Sequence, residues 1–97
     1  MTISDARLTS SDGAHGRGPA HIGFLLIPDF ALLAYASAVE PLRAANRLSG
    51  RDLYRWSHVS IDGLPAPASN GVSIQAEYGL GDETRFDYVF VCAAPIA

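Results

Sequence analysis

The apolar run His21-Ile-Gly-Phe-Leu-Leu-Ile27 sets the architecture that the rest of the chain must complete. It shows no polar alternation, which is typical of a strand buried on both faces. Strands of this kind belong to parallel sheets that are covered by helices. A second apolar run follows much later, at Asp87-Tyr-Val-Phe-Val-Cys92. We therefore predict two buried strands that lie side by side and run in the same direction.

The segment after the first strand predicts one amphipathic helix. Asp29 is placed to accept backbone N–H bonds at the helix start, and Gly50 lies where a C-cap is expected. Pro41 cannot donate to the carbonyl of Ser37, so we expect a kink or a helix restart near Glu40. Apolar residues at helical spacing are expected to face the sheet; they are Leu32, Tyr35, Ala36, Val39, Leu42 and Leu48.

Shorter patterns complete an α/β fold of about four strands and one main helix. Tyr54–Ser60 places large rings on alternate residues, on one face, and predicts a second strand, and Val72–Ala76 predicts a third. The dipeptides Asp62-Gly63 and Asn70-Gly71 are typical of turns with positive φ. Gly79–Arg85 is expected to form a loop or a single helical turn. The apolar run that ends at Cys92 then supplies the fourth strand.

Composition restricts the class of protein. The 97 residues leave room for one domain, and the net charge of −3 argues against a nucleic-acid-binding face in this segment. The single cysteine, Cys92, excludes an internal disulfide and a cysteine-rich zinc site. We find no secretory signal and no apolar run near the ~20 residues that span a bilayer. A reducing, cytoplasmic setting is therefore expected.

The chain divides into a tail and a domain. Residues 1–19 are polar and glycine-rich, which predicts a disordered N-terminal tail. The segment Gly13-Ala-His-Gly16-Arg-Gly18 lacks the preceding strand and the lysine of a phosphate loop, so we interpret it as a linker. Residues 20–97 form the α/β part. Its two buried strands need helices on both faces, whereas one convincing helix is present, so we expect a fragment of a larger domain or an oligomer, and favour the fragment.

Two polar patterns allow alternatives. Arg43, Arg47 and Arg51 recur every four residues, with Glu40 in position to pair with Arg43. They form either a DNA-contacting face or a solvated outer helix face, and the acidic composition favours the latter. His58 is either a packed strand histidine or a metal ligand. Because no partner stands at ligand spacing, we favour packing and expect no metal ion.

Several stretches together resemble a known family. They are Ile22-Gly-Phe-Leu-Leu-Ile-Pro-Asp-Phe30, Ala38-Val-Glu-Pro-Leu-Arg-Ala-Ala-Asn-Arg-Leu48, Tyr54-Arg-Trp56, Asp62-Gly63, Ser69-Asn-Gly71 and Asp87-Tyr-Val-Phe-Val91. These stretches look like the opening half of the DJ-1/PfpI-type domain. The resemblance is closer to that domain in GlxA-type AraC-family transcription regulators, and it covers about residues 21 to 92.

The resemblance implies part of a class I glutamine amidotransferase-like sensor domain with a partial flavodoxin-like parallel sheet. In full-length members this domain is joined to a C-terminal pair of helix-turn-helix motifs that bind promoter DNA, and these would lie beyond Ala97. Some relatives respond to quaternary ammonium metabolites such as betaine or carnitine. The expected partner is thus a small-molecule effector, with no cofactor, no membrane contact, and promoter DNA only through the other domain.

Departures from the family argue against catalysis. Enzymatic relatives carry an acidic side chain early in the first helix, where this chain has Ala34; Glu40 lies six residues further on and is not its equivalent. Relatives usually have glycines where this chain has Ala93-Ala94-Pro95. Cys92 precedes the elbow that holds the nucleophile in enzymes, so we favour a buried apolar role over a reactive thiol. The alternative function is a fragment of a DJ-1/PfpI-type cysteine hydrolase or hydratase.

Three residues are candidates for contact with the effector: Asp29, Phe30 and Glu40. Ligands of open α/β sheets bind beyond the carboxyl ends of the strands, where Asp29 and Phe30 are expected. A carboxylate and an aromatic face suit a cationic metabolite. The alternatives are a helix cap for Asp29, a core position for Phe30, and an ion pair with Arg43 or Arg47 for Glu40. A further possibility is an interaction module that dimerises through its uncovered sheet.

Overall fold

The computed structural model describes residues 2–4 and 18–94 of the chain. Within them lie seven strands and one helix. In chain order these elements are β1 (Thr2–Ser4), β2 (Ala20–Leu26), α1 (Leu32–Ser49), β3 (Tyr54–Ser60), β4 (Ala66–Pro67), β5 (Ser73–Ile74), β6 (Tyr78–Gly79) and β7 (Tyr88–Cys92).

Five strands form one sheet in the order β1-β7-β2-β3-β6. The strands β7, β2, β3 and β6 are parallel, and β1 runs antiparallel to β7 at the edge. At the centre Gly23 stands opposite Ser57 of β3 and Val89 of β7. The prediction that the two apolar runs are adjacent and parallel is confirmed. With α1 on one face, the described residues have the expected α/β character.

The core lies between the sheet and α1. Alternate side chains of β2, namely Ile22, Phe24 and Leu26, are almost completely buried. Phe24 stacks on Phe90 of β7, with ring centroids 5.3 Å apart. From the helix, Val39 is buried against this cluster. Because side chains alternate between the two faces of a strand, Gly23 lies on the opposite face of the sheet.

The start of α1 differs from the prediction. Asp29 has φ 72, in the left-handed region, and its N–H donates to the Pro67 carbonyl at 2.7 Å. The helix begins only at Leu32, after Ala31, and its start has no side-chain cap within the described residues. The prediction that Asp29 caps the helix is therefore wrong. Asp tolerates the left-handed conformation better than most residues, so it serves the tight turn after β2.

The middle and the end of α1 give a mixed outcome. The helix continues through Pro41 to Ser49, so the expected restart near Glu40 is wrong. Pro41 is on the exposed side, where its ring meets solvent. The C-cap prediction is confirmed, since Gly50 has φ 70 and its N–H donates to the carbonyls of Asn46 and Arg47. Leu48, predicted to face the sheet, is 86% exposed.

The remaining predictions are partly confirmed. Gly63 and Gly71 have the positive φ expected of their turns. The predicted strand Val72–Ala76 shortens to β5, which pairs with β4 in a separate two-stranded sheet. Gly79–Arg85 contains the expected turn, closed by the Asp82 N–H on the Gly79 carbonyl; β6 was not predicted.

The ends of the chain fall largely outside the described residues. Thr2–Ser4 forms β1 along β7. The division into a tail of residues 1–19 and a domain of residues 20–97 stays a prediction. Residues 5–17, which hold most of the Gly13-to-Gly18 linker, lie outside the described part, as do residues 95–97.

A loop covers part of the opposite face of the sheet. A Cβ at Gly23 would lie 3.0 Å from the ring of Phe86, so glycine lets this ring rest on the strand. The Arg85 carbonyl lies 3.1 Å from His21 Nδ1. A carbonyl can only accept, so Nδ1 carries the hydrogen and Nε2 accepts from the Ser57 hydroxyl at 2.8 Å. His21 thus fixes the loop before β7 to the sheet.

Candidate functional site

The carboxyl edge of the sheet is formed by the ends of β2 and β7. Ile27 donates its N–H to the Cys92 carbonyl at 2.9 Å, which holds the two strand ends together. The turn Pro28–Phe30 leaves the sheet there and is fixed to the β4 segment, because the Ser69 N–H donates to the Phe30 carbonyl at 2.8 Å. Open α/β sheets bind ligands beyond this edge. The turn and the residues after Cys92 therefore define the candidate site.

The three predicted ligand residues occupy different environments. Asp29 projects an exposed carboxylate from its left-handed turn at the edge. Phe30 is fully buried, so its alternative role in the core is confirmed. Glu40 lies about two helical turns beyond the start of α1 and accepts from Arg43 Nη2 at 2.7 Å, which confirms the predicted ion pair. The effector role of these residues stays a prediction.

A hydrogen-bonded group near this edge was not predicted. We call it the Tyr35 triad, and it consists of Tyr35 on α1, His58 on β3 and Glu77 before β6. The Tyr35 hydroxyl lies 2.8 Å from His58 Nε2, and His58 Nδ1 lies 3.1 Å from Glu77 Oε1. Because a carboxylate only accepts, Nδ1 carries the hydrogen and Nε2 accepts from Tyr35. The triad joins the helix to the sheet.

Aromatic rings surround Tyr35. Its ring centroid lies 5.4 Å from Phe24, 5.5 Å from His58 and 6.5 Å from Phe30. Burial raises the pKa of Tyr35, and the nearby Cys92 and Glu77 raise it further. The hydroxyl therefore stays protonated over the physiological range and acts as a donor. The partly buried ring of Tyr35 and the half-exposed carboxylate of Glu77 are groups of the kind that attract a cation.

Cys92 is fully buried at the end of β7. Burial raises the pKa of its thiol, which disfavours the thiolate needed for nucleophilic attack. The prediction that Cys92 is buried is therefore confirmed. Position 34 of α1 is an alanine and carries no carboxyl group.

Parts of three curated proteins are similar to this chain. The HTH-type transcriptional regulator GbdR of Pseudomonas aeruginosa is 51% identical over 76 residues, which are 78% of this chain and 21% of the relative. The regulator CdhR of the same species is 49% identical over 70 residues, or 72% of this chain and 20% of the relative. The three curated relatives of this chain are HTH-type transcriptional regulators. The third, GlxA of Rhizobium meliloti, is 44% identical over 77 residues, or 79% of this chain and 24% of the relative.

The chain thus spans about a fifth to a quarter of the length of these regulators. No family profile matches it, and no solved structure does. Residues 2–4 and 18–94 contain no group of three or more His, Cys, Asp or Glu side chains that could hold a metal ion. Over the same described part, no helix combines the length and the apolar character that crossing a bilayer requires.

The sequence carried a partial signal for the Tyr35 triad. The alternation Tyr54, Trp56, His58 places His58 on the same face as the large rings, and Tyr35 was predicted to face the sheet. These two patterns together bring the residues to one side. Glu77 had no such signal, because its contact with His58 depends on a segment 19 residues away that pairs with β3.

Proposed function

We propose that this chain is part of the effector-sensing domain of an AraC-family transcription regulator, with a DJ-1/PfpI-type fold and without catalysis. The observation that carries the proposal is 44–51% identity to three HTH-type regulators over about three quarters of this chain. Promoter DNA is then bound by a helix-turn-helix part elsewhere in the protein. The net charge of −3 fits a role other than DNA contact for these residues. Such a regulator works in the cytoplasm.

The proposed effector is a small cationic metabolite, with a quaternary amine as the specific case. Support comes from the carboxyl edge, where the exposed carboxylate of Asp29 lies beside the turn that buries Phe30. The ring of Tyr35, which is only partly buried on α1, provides a quadrupole that attracts a quaternary ammonium group without a hydrogen bond. Glu40 is the third candidate, although an effector would compete there with Arg43. The proposal therefore depends most on Asp29.

Non-catalytic sensing is supported by the state of Cys92. A buried thiol with a raised pKa is a poor nucleophile, and α1 offers it an alanine at position 34 instead of an acid. These two features disfavour the alternative of a cysteine hydrolase or hydratase.

The proposal is tested by titrating the full-length protein with glycine betaine and carnitine in a calorimeter. We expect saturable binding of at least one of them, and Asp29→Asn should weaken it about tenfold, which corresponds to the ~1.4 kcal/mol of a charge-assisted contact. Asp52→Asn is the matched control, since Asp52 is an exposed aspartate before β3 at the other edge. Chromatin immunoprecipitation of the same protein should recover discrete promoters. Failure of both measurements would refute the proposed function.

A further inference from the structure

The turn Asn70-Gly71 lies at the tip of the loop that joins β4 to β5. Both residues are exposed, and Gly71 has φ 94. Two backbone bonds close the loop: the Gly71 N–H donates to the Ala68 carbonyl at 3.0 Å, and the Ala68 N–H donates to the Val72 carbonyl at 2.7 Å. An exposed loop tip opens locally at a lower free-energy cost than a buried element. The backbone nitrogen of Gly71 is therefore released from its bond more easily than an amide of the sheet.

The backbone polarises the side-chain amide of Asn70. Its Oδ1 accepts from the Val72 N–H at 3.1 Å, which draws electron density away from Cγ. The same N–H can stabilise the negative charge that develops on Oδ1 when a nucleophile attacks Cγ. The covalent structure supplies such a nucleophile in the nitrogen of Gly71, which can close a ring on Cγ. Glycine has no Cβ to obstruct the attack, and a Cβ built there would meet no atom within 4 Å, so the surroundings are open.

Asn46, the other asparagine of the chain, is in the opposite situation. Its Nδ2 donates to the Tyr54 carbonyl at 2.8 Å, and its Oδ1 accepts from the N–H groups of Leu53 and Tyr54. The nitrogen that would attack its Cγ belongs to Arg47, which lies inside α1 and carries a Cβ. Both the amide of Asn46 and its neighbouring nitrogen are thus held in place. This contrast makes Asn46 an internal reference for Asn70.

We propose that Asn70 is a site of spontaneous deamidation, in which the nitrogen of Gly71 attacks Asn70 Cγ after the tip has opened. The new N–Cγ bond forms as the bond from Cγ to Nδ2 breaks. The proton of the attacking nitrogen passes through water to Nδ2, which leaves as ammonia, and a succinimide ring remains. One water molecule then opens the ring at either carbonyl. The products are aspartate and isoaspartate, and in isoaspartate the backbone runs through the former side chain.

The modified tip is coupled to the carboxyl edge of the sheet. Residues 67–69 hold the turn of residues 28–30 by three backbone contacts: the parallel bridge of Phe30 with Ala68, the Ser69 N–H on the Phe30 carbonyl, and the Asp29 N–H on the Pro67 carbonyl. Isoaspartate lengthens the backbone of the tip by a methylene group, so the two bonds that close the loop lose their geometry. The turn then loses part of its support whether or not an effector binds there, which makes the modification independent of the proposed function.

Ageing of the full-length protein in a mildly alkaline buffer tests the site. Mass spectrometry of its proteolytic peptides should show the amide replaced by a carboxyl group at Asn70 at least about tenfold faster than at Asn46, because the exposed tip opens more easily. Gly71→Ala should slow the conversion, since its Cβ crowds the attacking nitrogen. Asn70→Gln is the matched control: it keeps an amide, but its ring would be larger and closes much more slowly. Equal rates at Asn70 and Asn46, or an unchanged rate in Gly71→Ala, would overturn the proposal.

Hydrogen exchange of the aged protein tests the coupling to the carboxyl edge. In the fraction that contains isoaspartate, the amides of Asp29 and Ser69 should exchange at least about threefold faster, while the amide of Phe90 on β7 keeps its rate. Asn70→Asp carries the new charge on a normal backbone, so it should leave all three rates unchanged. An unchanged rate at Asp29 in the isoaspartate form would overturn the coupling. Equally fast exchange in aged Asn70→Gln would trace the effect to another site and overturn it as well.

Discussion

At position 29 the backbone conformation determines which residues are tolerated, because φ is 72 there. The left-handed conformation costs an ordinary L-residue about 1–2 kcal/mol, less for Asp and nothing for Gly. Asp29→Gly should therefore leave the free energy of unfolding unchanged or raise it slightly. Asp29→Val should lower it by about 1–2 kcal/mol, because a β-branched side chain is least tolerated there. Urea denaturation of both variants checks this, and equal stability of the two would contradict it.

The pH dependence of stability should report His21. Burial and the nearby Arg55 lower the pKa of His21 below its usual value of 6.5. The unfolded chain therefore takes up a proton at a higher pH than the folded one. The sign follows from this: the contribution of His21 is complete above pH 6.5 and is lost as the pH falls through the folded pKa.

The test compares the unfolding free energy of the protein and of His21→Gln between pH 7.5 and pH 5. Gln keeps a donor and an acceptor for Arg85 and Ser57, whereas it does not titrate. We expect the variant to be less stable at pH 7.5 but to lose less stability on acidification. Parallel curves would show that His21 does not contribute.

At the scale of elements, β2 depends on the close fit of Gly23 against the loop before β7. A Cβ at this position would lie 3.0 Å from three atoms of the Phe86 ring. Gly23→Ala should destabilise the protein by about 1–3 kcal/mol through overpacking. Phe86→Leu removes part of the ring, so the double variant should be more stable than the sum of the single changes predicts. Additive effects in urea denaturation would contradict this contact.

The linkage of α1 to β3 through the Tyr35 triad gives a second test at this scale. Tyr35→Phe removes the hydrogen-bond donor to the partly buried Nε2 of His58, which should cost about 1 kcal/mol. The backbone amides of the first turns of α1 should then exchange hydrogen faster, while those of β7 keep their rates. Leu64→Ala, at an exposed leucine outside the triad, is the control. Uniform changes across the protein would indicate a general loss of stability.

Elements with a local signal were predictable, and those held by distant contacts were not. The apolar runs of β2 and β7 and the glycine at the end of α1 carry their own physical pattern, and their structures follow it. β6 has two residues, Tyr78 and Gly79, and both pair with β3, at Val59 and Ser60. The start of α1 differs from the prediction because the N–H of Asp29 donates to the carbonyl of Pro67, which lies far along the chain. The carboxyl edge was predicted from the sheet, whereas the Tyr35 triad needed three separate segments.

At the scale of the whole molecule, two arginines in and just after the last turn of α1 distinguish a sensing part from a DNA-reading part. Arg47 and Arg51 are exposed and were open to both interpretations. When a side chain that neutralises one phosphate is removed, the slope of log K against log salt concentration becomes less steep by about 0.9. Contact by both arginines would thus change the slope by about 1.8 in a double variant.

We expect no such change for Arg47→Gln with Arg51→Gln, because the acidic part of the chain that contains them lies apart from DNA in the proposed regulator. The measurement is fluorescence anisotropy of the full-length protein on a promoter fragment recovered by immunoprecipitation, at several salt concentrations. Replacing two arginines in its helix-turn-helix part should reduce the slope and serves as the positive control. A reduction of the slope by the Arg47 and Arg51 double variant would place the end of α1 on the phosphate backbone, and the division between sensing and DNA binding would then be wrong.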